Sequence, residues 1–183
     1  MKNKYKYSAI VEGETEKRIF EKLKNNIIKA NKLTLCKEHN FKNNNGTINI
    51  NKIKNLKCCT QIVIMDQDNI KNINDYYNKK SESNLLIVSK PSIEIVLYAL
   101  CDVCESNINK KEIEEKLRKF LKNKFKINYK HGPEPIKDIF YLLEDENQFQ
   151  KWKSNLKKLK EQNKSNFIEL IEYMEEYKNN GNL

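Results

Sequence analysis

Three short apolar runs in the first half of the chain each stop at a polar residue: Tyr5–Val11 before Glu12, Gln61–Met65 before Asp66, and Asn84–Ser89 before Lys90. In the first, Tyr5, Tyr7, Ala9 and Val11 alternate with Lys6, Ser8 and Ile10, as a strand does. Ile62–Met65 is continuously apolar, the pattern of a central parallel strand buried on both faces, and Leu85–Val88 repeats it. Helical spacing fills the gaps. Ile19, Phe20, Leu23, Ile27 and Ile28 predict a helix capped by Thr15 and ending near Asn31. The polar stretch Asn69–Lys80, with Ile70, Ile73 and Tyr77 on one face, predicts another, and a third is expected from Ser92 to about Glu105. Leu33–Cys36 and Thr47–Ile50 compete for a further strand. Strands alternating with helices predict an α/β fold with a mainly parallel sheet of about four strands flanked by helices.

From Lys110 onward the periodicity is helical throughout. Ile113, Leu117, Phe120 and Leu121 form one stripe; Ile136, Ile139, Phe140 and Leu143 a second; Phe149, Trp152, Leu156 and Leu159 a third; Phe167, Leu170, Ile171, Met174 and Tyr177 the last. Trp152 therefore reads as core packing rather than as a platform for stacking bases. With 183 residues and no Pro-, Gly- or Ser-rich linker, the chain is expected to be one compact unit: an α/β core over 1–108 and a helical C-terminal extension over 109–183 packed on it.

The net charge of +10 points to a polyanionic partner, since clustered lysines release counterions when they neutralise phosphates. The abundance of Lys, Asn, Ile and Tyr, as AT-rich coding would produce, discounts that inference in part. Cys36, Cys58, Cys59, Cys101 and Cys104 form no disulfide framework and read as buried, reduced thiols rather than zinc ligands. No signal peptide is recognisable, and Ile93–Cys101 is far shorter than a bilayer span, so a soluble, cytoplasmic protein is expected, with no membrane partner. His39 and His131 flank no nucleophile, and no P-loop is present.

The chemistry is concentrated in Glu12-Gly13-Glu14-Thr15-Glu16 and Asp66-Gln67-Asp68. Each acidic group terminates a predicted parallel strand, and ligands of open α/β sheets gather beyond those carboxyl ends. Glu12, Glu16, Asp66 and Asp68 brought into one volume require a cation, and oxygen donors select magnesium or manganese, as one or two ions. Gly13 is expected to let the chain turn sharply, so that the carboxylates on either side face the ion.

Strand, EGxTE, helix, then strand and DxD, then strand and Ser-Lys-Pro-Ser-Ile-Glu resembles the Toprim domain over roughly Tyr5–Cys101. Within that superfamily the EGxTE start and Pro91-Ser92-Ile93-Glu94-Ile95 look like the RloB-like and OLD-type (overcoming lysogenization defect) nucleases. The resemblance implies a Toprim-like, Rossmann-like fold and a hydrolase that cuts phosphodiester bonds of DNA or RNA with Mg2+ or Mn2+. It makes Glu12, Glu16, Asp66 and Asp68 metal ligands or acid–base groups and matches Ser92 and Glu94 to an SxE element for a second ion. Glu94 also reads as a first-turn helix carboxylate. Tyr129-Lys130-His131-Gly132 resembles the family's Tyr–Lys element, which makes Lys130 the candidate for stabilising charge on the phosphate. The family implies antiviral defence beside a separate ATPase, and a homodimer is compatible with this reading. An RNA-processing, maturase-like Toprim ribonuclease and a non-catalytic nucleic-acid-binding subunit of a partner ATPase are the alternatives.

Overall fold

A computed structural model describes residues 7–30, 33–35, 60–66, 85–101, 108–130 and 135–180. Four strands, β1 (Tyr7–Val11), β2 (Thr34–Leu35), β3 (Thr60–Asp66) and β4 (Leu85–Ser89), form one sheet in the order β2-β1-β3-β4. All three pairings are parallel, with Val11 opposite Ile64 and Asp66 opposite Ser89. The α/β expectation therefore holds, with helices flanking a small parallel sheet. Of the two competing strand segments, the first supplies β2; Thr47–Ile50 lies outside the described residues, as do Tyr5 and the helix expected over Asn69–Lys80. Ile62, Val63, Ile64 and Met65 are all buried, as continuous apolarity demands of a strand covered on both faces.

Helix α1 (Glu14–Lys22) continues into a π-helical segment, Leu23–Ile27, closed by the Ile28 N–H donating to the Leu23 carbonyl. Its N-cap is Gly13 rather than Thr15, and no side chain caps it, so Thr15 lies inside the first turn. The helix stops ahead of Asn31 because Lys29 is left-handed, at φ 62°. Ile19, Phe20 and Leu23 face the core.

After β4 the expected helix Ser92–Glu105 shortens to α2 (Glu94–Tyr98), five residues followed by turns through Leu100; Glu105 lies outside the described residues. Two side chains from far along the chain hold this end. The Trp152 indole N–H donates to the Val96 carbonyl at 2.7 Å, and the Asn155 amide donates to the carbonyls of Ala99 and Cys101. These bonds satisfy carbonyls that a helix end leaves without intrahelical partners.

Helices α3 (Lys110–Phe125), α4 (Ile136–Leu142), α5 (Glu146–Glu161) and α6 (Phe167–Asn180) carry the four apolar stripes expected. Asn109 and Glu112 form a reciprocal capping box on α3, and Asp145 caps α5. Helix α2 packs on α3, α1 on α4, α5 on α6, and α6 on β4. One buried apolar cluster runs from Ala9 through Ile64 to Met174, with Trp152 at 1% exposure among Phe140, Phe149 and Phe167.

The free edge of β4 is closed by the segment between α5 and α6. The Asn166 side chain accepts from the Val88 N–H at 2.8 Å and donates to the Leu86 carbonyl at 2.7 Å, doing with one amide what a neighbouring strand would do. Ser89 and Ser165 bridge in antiparallel sense and share a buried hydroxyl bond of 3.0 Å. No described helix is long and apolar enough to cross a membrane.

Candidate active site at the carboxyl end of the sheet

In a parallel sheet of order 2-1-3-4 the chain reverses direction between β1 and β3, and the crevice beyond those two strand ends is where such folds bind ligands. Glu12 follows β1 and Asp66 ends β3. The Glu12 N–H donates to the Ile64 carbonyl, extending the ladder by one residue, and the Glu12 carboxylate accepts the Asp66 N–H at 2.9 Å. Glu12 is thereby clamped across the switch point by its own side chain.

Glu16, in the first turn of α1, is buried to 6% exposure, and Ser92, just ahead of α2, and Glu94, its first residue, to 1% and 3%. Two buried carboxyl groups, one on α1 and one on α2, thus join Glu12 around the Asp66 carboxyl at the end of β3. The electrostatic consequence falls on Asp66, whose carboxyl is pushed up from 3.8 to about 8, first by burial and then by repulsion from Glu16, Glu12 and Glu94. One bond acts in the other direction: the Asp66 carboxylate accepts the Ile93 N–H. Asp66 Oδ1 and Ser92 Oγ are buried with no hydrogen-bond partner. The Ser92 hydroxyl does not cap α2, whose N-cap is Ile93, although Glu94 does occupy the first turn, as its helix-carboxylate reading requires.

Comparison with known protein families, with curated proteins and with solved structures yields no match.

Gly13 has an extended backbone, φ −145°, which any residue adopts, so the sharp turn expected of it is not its role. Space is. A Cβ on Gly13 would lie 2.9 Å from Glu16 Oε2, and glycine is what leaves the Glu16 carboxylate its position.

Among the described residues, no three His, Cys, Asp or Glu side chains stand close enough to form a ready-made metal cage. Asp68 lies outside them, as do His39, His131 and four of the five cysteines; Cys101 is buried. Magnesium does not need such a cage, because it is usually held by one or two carboxylates with water and substrate phosphates completing the shell. The donor set fits that mode: Asp66 Oδ1 and Ser92 Oγ are buried oxygens awaiting a partner, among carboxylates whose mutual repulsion a cation would relieve.

Lys130, expected at the phosphate, is exposed on the segment following α3. Its neighbour Tyr129 is the residue turned inward, 3% exposed, with a hydroxyl that has no hydrogen-bond partner and a phenol pushed up by burial and then by Glu94. The sequence carries a signal for this. Phe125, Ile127 and Tyr129 alternate with Lys126, Asn128 and Lys130, and period-two alternation sends the tyrosine inward and the lysine out.

Proposed function

We propose that this chain is a Toprim-type nuclease, hydrolysing phosphodiester bonds with Mg2+ or Mn2+ at the β1/β3 crevice. The observation that carries the reading is the crowding on Asp66: burial, then three glutamates, raise its carboxyl to about 8 while one of its oxygens has no partner. A carboxylate cluster of this kind serves a protein that binds phosphates only when a cation joins it, since the bare cluster repels them.

Asp66, with Glu12, Ser92 and Glu94, would hold the ion, and Glu16 would share its charge. An ion bound there supplies electrophilic activation of water and phosphate. The chain's own residues do the remaining work. Glu12 fixes the end of β3 through the Asp66 N–H. The Ile93 N–H orients the Asp66 carboxylate, and the buried Tyr129 hydroxyl offers a donor beside Glu94. The setting we infer is defence against phage and other mobile elements, with any ATPase supplied by a separate polypeptide.

The test is cleavage of plasmid DNA, linear DNA and bulk tRNA by purified protein with magnesium or manganese, beside Asp66→Ala and Glu12→Ala. The expected result is ion-dependent cleavage, reduced at least about a hundredfold in both variants, as for loss of a group that stabilises transition-state charge. Wild-type cleavage that persists in chelator, or folded protein that neither cleaves nor binds either ion, would overturn the proposal.

A further inference from the structure

A groove of about 410 Å³ runs along the β4 edge, with Leu86 and Val88 on its floor and Lys90, Lys160, Lys164 and Asn166 among its walls. Its position relative to the acidic crevice is fixed by register. Asp66 pairs with Ser89, and Lys90 is the next residue. The Lys90 N–H donates to the Lys164 carbonyl at 2.7 Å, which sets the two lysines side by side where the β4 edge meets the α5–α6 connection. With strands about 4.8 Å apart and a rise of about 3.3 Å per residue, the Lys90 backbone lies roughly 6 Å from that of Asp66.

The lysines differ in how their charge is used. Lys17 pairs with Glu14, Lys153 with Glu175, and Lys160 with Glu169 across the same groove. Lys90 and Lys164, both half-buried, have no carboxylate partner among the described residues. Lys164 follows the C-terminus of α5, where a cation is favoured in any case, but Lys90 follows a strand and has no such reason to be there. Two lysines without a carboxylate partner among the described residues, their backbones next to the strand that Asp66 ends, make a polarised site: acids at the crevice, cations at its flank. That is the arrangement a polyanion needs if one of its phosphates is to reach the acids while its neighbours are held.

We infer that this groove is a backbone-binding lane for nucleic acid, with Lys90 and Lys164 contacting phosphates that flank the one delivered to the crevice. The inference rests on the nuclease reading for its direction, but not for its measurement. Lane binding is read in chelator, by fluorescence anisotropy of labelled single-stranded DNA, single-stranded RNA and duplex DNA over a range of KCl concentrations. The double variant K90Q/K164Q is expected to bind at least about tenfold more weakly at low salt. Its plot of log affinity against log salt should be shallower by about 1.4–1.8, as for two lost phosphate contacts. Removing the same charge on α3, which does not line the groove, with K111Q/K119Q should leave the slope unchanged. Whichever probe shows the larger difference names DNA or RNA as the natural occupant.

An unchanged slope in K90Q/K164Q, or wild-type protein that binds none of the three probes, overturns the lane. If the lane variant binds normally while Asp66→Ala abolishes cleavage, the nuclease reading stands and the lane falls. If the slope changes as expected while wild type cleaves nothing, the lane stands and the nuclease reading falls.

Discussion

The two sides of β4 treat their polar groups in opposite ways. On the outer edge, Asn166 answers both the Val88 N–H and the Leu86 carbonyl, and Ser89 and Ser165 answer each other; past β4, Trp152 takes the Val96 carbonyl of α2 and Asn155 the carbonyls of Ala99 and Cys101 that follow it. On the inner side, at the end of β3, Asp66 Oδ1 and Ser92 Oγ are buried without partners and a carboxyl is held far from its ordinary pKa. A lost partner for a buried polar group costs about 1–3 kcal/mol, so a chain that satisfies its backbone carefully on one side has a reason for leaving oxygens bare on the other. The seam stabilises; the crevice carries an unmet demand that a ligand would fill.

The largest change expected in stability comes from breaking the satisfied side. Trp152→Ala removes a fully buried ring packed against three phenylalanines together with the donor to Val96, and should cost about 3–5 kcal/mol in urea or thermal unfolding. Because the indole anchors the helix that carries Glu94, ion binding should weaken in the same variant. A loss below about 1 kcal/mol would mean that the seam is not where the stability lies.

How far the sequence announces these two regions differs for a physical reason. Parallel strands buried on both faces write themselves as apolar runs, and the acid that ends the first two runs is local, so Glu12 and Asp66 are legible from the chain alone, as are the four C-terminal stripes. Glu94 is legible as a first-turn carboxylate, but its burial is not, because α3 and the segment ending in Tyr129 come later in the chain. The Asn166 clasp joins residues 78 apart and depends on where α5 ends, which no local pattern encodes. Lys130 shows the opposite case. The alternation of Phe125, Ile127 and Tyr129 with Lys126, Asn128 and Lys130 is local, and it marks the lysine as the outward residue and the tyrosine as the inward one.

The crevice responds to pH in a way the seam does not. In the absence of divalent ions, unfolded Asp66 loses its proton near 3.8 while the native group keeps it to about 8. The native state binds the extra proton between those values, so stability falls as pH rises through the window and levels off above it. Asp66→Asn should remove that slope: similar to wild type near pH 4, and more stable above pH 8 by on the order of 2 kcal/mol, after allowing for the screening of a half-buried group. Adding magnesium or manganese should raise wild-type stability most at the alkaline end, where ion and proton no longer compete, and should leave Asp66→Asn unmoved. Equal pH profiles for the two proteins would show that the carboxylates are not crowded.

Gly13→Ala gives the smallest effect on stability and separates the two regions most finely. Its extended backbone suits alanine, and replacing glycine at a compatible position reduces the freedom of the unfolded chain, a gain of about 0.4–1 kcal/mol. Against that stands a Cβ 2.9 Å from Glu16 Oε2, at the far end of a side chain that can swing aside. The net change in unfolding free energy should therefore stay within about 1 kcal/mol of zero, while the Glu16 carboxylate is displaced from the crevice and ion affinity falls. Calorimetric titration with manganese beside a thermal melt reads both. A glycine kept for backbone freedom would produce the reverse, a clear loss of stability with ion binding intact, whereas loss of affinity in a fully stable protein assigns Gly13 to the clearance of a ligand.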